Sequence, residues 1–210
     1  LVARADSLYF APGSAYRYSN SGYALLALTV ERASGKSFPA FLKERIFTPL
    51  GMTGSVAHVE GSDTVPHRAY GASKRDGQWV TTDQSNTSAV LGDGGVYTNV
   101  TDLAKWVQAL FTAPPPGAEL QQRAWTPFAL NDGTPGPYGL GYFVDTDRGL
   151  RRLSHHGETR GFTNALVIYP DKKVAVILLT NRIGGGPWDL AQRVADRELG
   201  LTGAPTPFRF

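Results

Sequence analysis

The chain has 210 residues, enough for one large domain or two small ones, with 41% hydrophobic and 19% charged residues and a net charge of +3. That composition belongs to a folded globular protein, and its scattered Lys and Arg exclude the clustered basic stripe of a nucleic-acid binder. The absence of Cys excludes disulfides, thiolate catalysis and Cys-ligated metal within the chain, and no apolar run is long enough to cross a bilayer.

In chain order, the first predicted element is a helix over residues 21 to 34. Asn20 or Ser21 caps it, Tyr23, Leu26, Val30 and Ala33 line one face, and Gly35 ends it. Leu25 and Leu28 lie elsewhere on the wheel, so burial on most sides is expected. A second helix starts from Ser37, places Phe38, Phe41, Leu42 and Ile46 at helical spacing, and closes at Pro49. Residues 54 to 100 are rich in Gly, Ser, Thr and Asp and read as irregular chain with short strands at most. Helix returns after a Thr101 cap with Leu103, Trp106, Val107 and Leu110 at i, i+3, i+4 and i+7, and Pro114-Pro115-Pro116-Gly117 breaks it. After a Gly- and Pro-rich loop at 131 to 139 the period becomes two. Strands are predicted at 140 to 145, 151 to 156, 162 to 169 and 174 to 180, the last two joined by an Asp171-Lys172-Lys173 turn. Pro187 opens a final helix with Trp188, Ala191, Val194 and Ala195 inward and Gly200 after it. The order predicts an α/β protein of the α+β type, an antiparallel sheet flanked by helices. No internal repeat or linker divides residues 1–210, so a single domain is expected. The chain opens on Leu1 and its sole Met is Met52, so it reads as a piece of something longer.

Three stretches hold residues with chemistry. In "YRYSNSGYALL", residues 16 to 26, Tyr18 and Asn20 lie two apart, and in extended chain both side chains point one way. A phenol acts as a base only with its pKa pulled well below about 10, which takes a cationic neighbour. Asn20 can orient an amide; alternatively it only caps the helix while Tyr18 packs. In "SHHGETRGF", residues 154 to 162, adjacent strand residues face opposite sides, so His155 and His156 do not share a metal, and His58 and His67 add no ligand spacing. What remains is His155-x-Gly157 on a strand whose edge N–H groups can receive a carbonyl, or an ordinary exposed strand with a satisfied His. In "GDGGVYTNVTDLAKW", residues 92 to 106, the glycines read as a tight turn or close-packing site before a capped helix, too short for a phosphate loop.

Together, "FAPGSAYRYSNSGYALLALTVERASGKSFPAFLKERIFTPLGM", "GDGGVYTNVTDLAKW" and "SHHGETRGF", in this order, resemble the serine hydrolases related to class C β-lactamases and D,D-peptidases, across nearly all of the chain. The resemblance implies a β-lactamase/transpeptidase-like fold, incomplete at its N-terminus, with this chain its C-terminal portion. It implies Tyr18 as the shared acid/base and Asn20 as a substrate-amide ligand. His155 would stand where many members have Lys, Gly157 would keep the strand clear, and the Glu158 backbone N–H would be an oxyanion donor. No cofactor or metal is implied.

That family's nucleophile is a Ser with Lys three residues later, both on one helix face. None of the six Lys here has Ser at that spacing, so the pair is expected upstream of Leu1. Tyr18 should then titrate as an ordinary phenol, and this chain alone should be inactive. A His at 155 is largely neutral near pH 7, which favours an esterase or peptidase-like member over a dedicated β-lactamase, unless Arg160 restores the charge. The expected partners are a small ester, amide or peptide substrate and the upstream segment of the same protein, with periplasmic or secreted placement. The alternative is a non-catalytic peptidoglycan- or peptide-binding protein on the same fold. A nucleophile at Ser19 or Ser154 is a third reading, disfavoured because neither has Lys at i+3.

Overall fold

The computed structural model describes residues 7–59, 64–83, 91–112 and 117–208. Its centre is an antiparallel meander of β5 (Phe143–Asp147), β6 (Leu150–Thr159), β7 (Phe162–Tyr169) and β8 (Val174–Thr180), in that spatial order. Alternation along each strand separates two cores. Ala165, Val167, Tyr169 and Val176 face one side and pack on Ala191 and Ala195 of α5 (Pro187–Leu199). Leu153 and Ile168, paired across β6 and β7, face the other side, with Leu110 and Trp125. Leu110 belongs to α3 (Val100–Thr112), and Trp125 follows α4 (Ala118–Ala124). Leu153, Val167 and Ile168 are fully buried, each contributing roughly 2 kcal/mol of burial free energy. The architecture is the antiparallel sheet with flanking helices that the order of elements predicted.

The local differences have physical causes. α1 (Asn20–Ser34) is capped by Ser19, whose hydroxyl accepts from the Gly22 N–H at 3.0 Å, not by Asn20 or Ser21. Ser19 is still extended (φ −146°), so the chain turns helical one residue earlier than expected. Burial on most sides of α1 does not hold: Leu25, Leu26 and Leu28 are exposed and only Ala27 is buried, because the described residues cover one narrow face. α2 (Phe38–Leu42), capped by Ser37 as expected, runs into a wider π-helical turn at Lys43–Phe47. α3 is capped by Asn99 rather than Thr101, its side chain accepting from the Asp102 N–H at 2.9 Å. Residues 114 to 116 of the expected breaker lie outside the described residues, and α4 was not foreseen. β5 begins at Phe143, not 140, since Leu140 sits in an exposed turn. In α5 Val194 faces solvent, and Gln192 takes the inward place to meet buried charges on the sheet.

The stretch from 54 to 100 is less irregular than its composition suggests. β1 (Val56–Ala57) pairs with β4 (Val96–Tyr97), and β2 (Ala72–Arg75) with β3 (Gln78–Thr81). The β2–β3 hairpin is tied to the tip of the main sheet: the Ala72 N–H donates to the Asn181 carbonyl (2.9 Å), and the Ile183 N–H to the Ala72 carbonyl (3.0 Å). Gly161, φ 77°, forms the two-residue β6–β7 turn with Arg160, and a Cβ there would lie 2.5 Å from the Cα of Gly71. Two chains meet backbone to backbone at that point, which only glycine permits.

Candidate active site

The site grows from two elements that end beside each other. The residue before the α1 cap is Tyr18, and β6 carries His155 to the same place: their ring centroids are 6.0 Å apart. Phe143 stacks on Tyr18 at 6.1 Å, and Tyr138 meets Tyr18 edge-on at 6.1 Å and Phe143 at 4.8 Å. Tyr18 keeps 42% of its surface exposed, so the phenol stands at the mouth of this aromatic nest.

His155 is fixed by two hydrogen bonds. Its Nδ1 lies 2.7 Å from the His156 carbonyl oxygen, which only accepts, so Nδ1 carries the hydrogen. In the neutral ring Nε2 is then the acceptor, and the Tyr138 hydroxyl donates to it at 2.8 Å. Burial pushes the imidazole below its usual range. His156 packs edge-on against Trp188 of α5 at 4.9 Å, and its ring centroid lies 6.0 Å from that of His155, closer than strict strand alternation places adjacent side chains.

Beyond His155 the strand edge opens. β5 covers β6 only as far as Ser154, which pairs with Phe143; residues 155 to 159 have β7 on one side and no described strand on the other. Gly157 and Glu158 lie in that open stretch. A Cβ on Gly157 would meet only the Asn164 amide nitrogen, at 3.7 Å, so nothing in the described chain requires a glycine there. The Glu158 side chain is exposed. A cavity of about 680 Å³ begins at the same edge. Its floor is Thr159, Phe162, Asn164 and Leu179, on the sheet face of Gly157; Arg68 forms part of its wall and donates to Asp83 (2.7 Å) and Tyr97 (2.6 Å). Tyr18 and His155 lie outside this cavity.

Several expectations are corrected by this geometry. Tyr18 is not an ordinary phenol: burial, then the neighbouring Tyr23 and Asp93, push its pKa up. Arg160 is exposed on the β6–β7 turn, five residues and about 16 Å along the strand from His155, so it does not restore charge there. Asn20 is exposed and takes no part in the cap. The two serines weighed as nucleophiles and disfavoured are placed accordingly: Ser19 accepts the cap hydrogen bond, and Ser154 is buried within the sheet. The sequence reading missed Tyr138, the partner of His155, because it sits in a Gly- and Pro-rich loop with no periodic signal. Asp93 was missed too, taken only as part of a glycine turn; its acidic side chain between glycines was the available signal.

A sequence model of the beta-lactamase family matches residues 2–200. Penicillin-binding protein 4* of Bacillus subtilis is 29% identical, over 90% of this chain and 49% of its own length. A D-aminopeptidase of Brucella canis is 28% identical, over 96% of this chain and 38% of its own. Among solved structures, the octameric penicillin-binding protein homologue of Pyrococcus abyssi superposes with a TM-score of 0.77 at 27% identity, covering 90% of this chain and 44% of that one. The chain thus spans half or less of the length of these relatives.

Proposed function

The chain belongs to the beta-lactamase family, and from that premise we propose that it forms the Tyr18 side of a serine hydrolase working by acyl transfer on an ester or amide. The observation that carries this reading is the convergence of Tyr18 and His155, 6.0 Å apart, beside a strand edge open over residues 155 to 159. The nucleophilic serine and its lysine come from polypeptide preceding residue 1. Serine Oγ attacks the carbonyl carbon, its proton passes to the Tyr18–lysine pair, and the Glu158 N–H on the open edge holds the oxyanion. Return of the proton to the leaving group gives the acyl-enzyme, and water, deprotonated by the same pair, releases the acid. Asn20 orients the substrate amide, and Gly157 leaves room for substrate backbone along the strand.

Electrostatics support the division of labour. With its pKa raised, Tyr18 is no base in this chain alone; an ammonium must be added before the phenolate becomes accessible. This chain by itself is therefore inactive. A neutral His155 offers no fixed charge for a substrate carboxylate, which favours an esterase or peptidase over a dedicated β-lactamase. The name of one relative, a D-aminopeptidase, points the substrate class toward amides and peptides of D-amino acids.

The test uses the full-length protein with p-nitrophenyl esters, D-amino acid amides and a chromogenic cephalosporin, and mass spectrometry after a fluorophosphonate. Ester or amide turnover and a covalent adduct are expected, and Tyr18→Phe should lower kcat by roughly 10²- to 10⁴-fold. Absence of both turnover and adduct would leave a non-catalytic binder on this fold.

A further inference from the structure

The β2–β3 hairpin carries an indole shared by two cations, and the reaction just described uses none of the three groups. Trp79 stands opposite Lys74 in the hairpin register and keeps 49% of its surface exposed. The Lys74 ammonium lies 5.9 Å from the centre of its ring, and the Arg182 guanidinium 4.8 Å from the same centre. Backbone contacts bring Arg182 there. It forms a bridge with Ala72 at the start of β2, and its carbonyl accepts from Thr163 Oγ1 (2.9 Å) and Thr180 Oγ1 (3.2 Å). Gly185 packs close as well: a Cβ there would lie 3.4 Å from the Arg182 Nε. The guanidinium is thus well placed, yet it donates to no acceptor among the described residues. Neither cation has a carboxylate in ion-pair reach among those residues, and Asp76, the acid of the hairpin turn, pairs with neither.

Two like charges gathered on one ring repel, and the ring's attraction offsets only part of that cost. Their natural complement is an anion within reach of both. The guanidinium fork matches the two oxygens of a carboxylate, and the ammonium adds a point charge beside it. The exposed indole selects what carries the carboxylate. Its flat apolar surface suits a ring with an apolar face of its own, as a pyranose has, whereas acidic side chains offer no ring to stack. Nucleic acid would need a longer basic run than the scattered Lys and Arg provide. We propose that Trp79, Arg182 and Lys74 form a binding site for a sugar acid, the uronate unit of an acidic glycan. The sugar ring lies on the indole, and its carboxylate bridges the two cations. Because Ala72 is bonded to Asn181 and Ile183, the hairpin and Arg182 hold their spacing before a ligand arrives. The inference is independent of the hydrolase reading and holds equally for a binder on this fold.

The test follows the Trp79 indole N–H resonance by NMR in the full-length protein, assigned with Trp79→Phe, during titration with trigalacturonate, maltotriose and triglutamate. Trigalacturonate should shift the resonance saturably. The neutral sugar and the acidic peptide each offer half of the recognition, and should bind at least about tenfold more weakly. Arg182→Gln should weaken trigalacturonate binding roughly tenfold, the worth of one hydrogen bond to a charged group. Lys74→Gln should weaken it in the same direction, and it decides the matter if Arg182→Gln disturbs the amide resonances of the hairpin. The proposal is overturned by an unmoved resonance, by maltotriose or triglutamate binding as tightly as trigalacturonate, or by an affinity that both charge variants leave unchanged.

Discussion

At the scale of single residues, the site is governed by who donates to whom. Because the His156 carbonyl takes the Nδ1 hydrogen, His155 has one lone pair left, and Tyr138 fills it. A bond that holds the neutral ring opposes protonation. Tyr138→Phe removes the donor, so the His155 pKa should rise toward its usual range, read from imidazole NMR; an unmoved or lowered value would show that Tyr138 has no hold on the ring. The sequence made part of this legible. Tyr18, His155 and Gly157 stood out because the short motifs that hold them, taken in order, resemble a known family; Tyr18 precedes a helix and the other two lie within β6. Tyr138 and Asp93 reach the same place from loops, and loop geometry is set by contacts distant in sequence, such as Gly92 against Tyr23.

At the scale of elements, what matters is where each one stops. α1 starts at Asn20 because Ser19 caps it, and this fixes Tyr18 as the last residue outside the helix. Ser19→Ala should cost about 1 kcal/mol in denaturant unfolding. If the cap positions Tyr18, the same change in the full-length protein should also lower kcat more than it raises KM. A loss of stability with unchanged kinetics would reduce Ser19 to a structural cap. β5 stops at the level of Ser154, and that shortfall opens the edge beside Gly157. Strand identities and the α3 stripe were legible because period and burial agree there. The exposed leucines of α1, the exposed Val194 and the buried Gln192 were not, since an apolar residue is buried only where another element covers it.

At the scale of the whole molecule, a charged cluster joins the sheet to α5 and the C-terminal stretch. Asp147, fully buried, accepts from Arg148 (2.9 Å), Tyr169 (2.7 Å) and the Thr206 N–H (2.7 Å), and Arg148 also reaches Asp196. Fully buried Arg152 pairs with Asp145 and bonds Gln192 at 2.8 Å. Burial of Asp147 opposes its ionisation, but these donors outweigh it and bring the carboxyl to about 2. A carboxyl lowered on folding binds fewer protons in the native state, so its contribution is complete above about pH 4 and vanishes as pH falls through 2. The expected loss is about 2 kcal/mol across that window, measured by urea unfolding at stepped pH. Asp147→Asn should flatten the slope there; an unchanged slope would assign acid sensitivity to other carboxylates.

The contact between Gly71 and Gly161 sets a limit on how this molecule can vary. Where two side chains touch, growth of one can be answered by trimming the other, and lineages wander through such exchanges. Here both partners are already at the minimum, so neither has anything to give up. Any added atom must be accommodated by shifting main chain. The shift would carry the β2–β3 hairpin away from the sheet tip, where Ala72 bonds Asn181 and Ile183, so the join between hairpin and sheet is held by two residues that contribute no side chain to it.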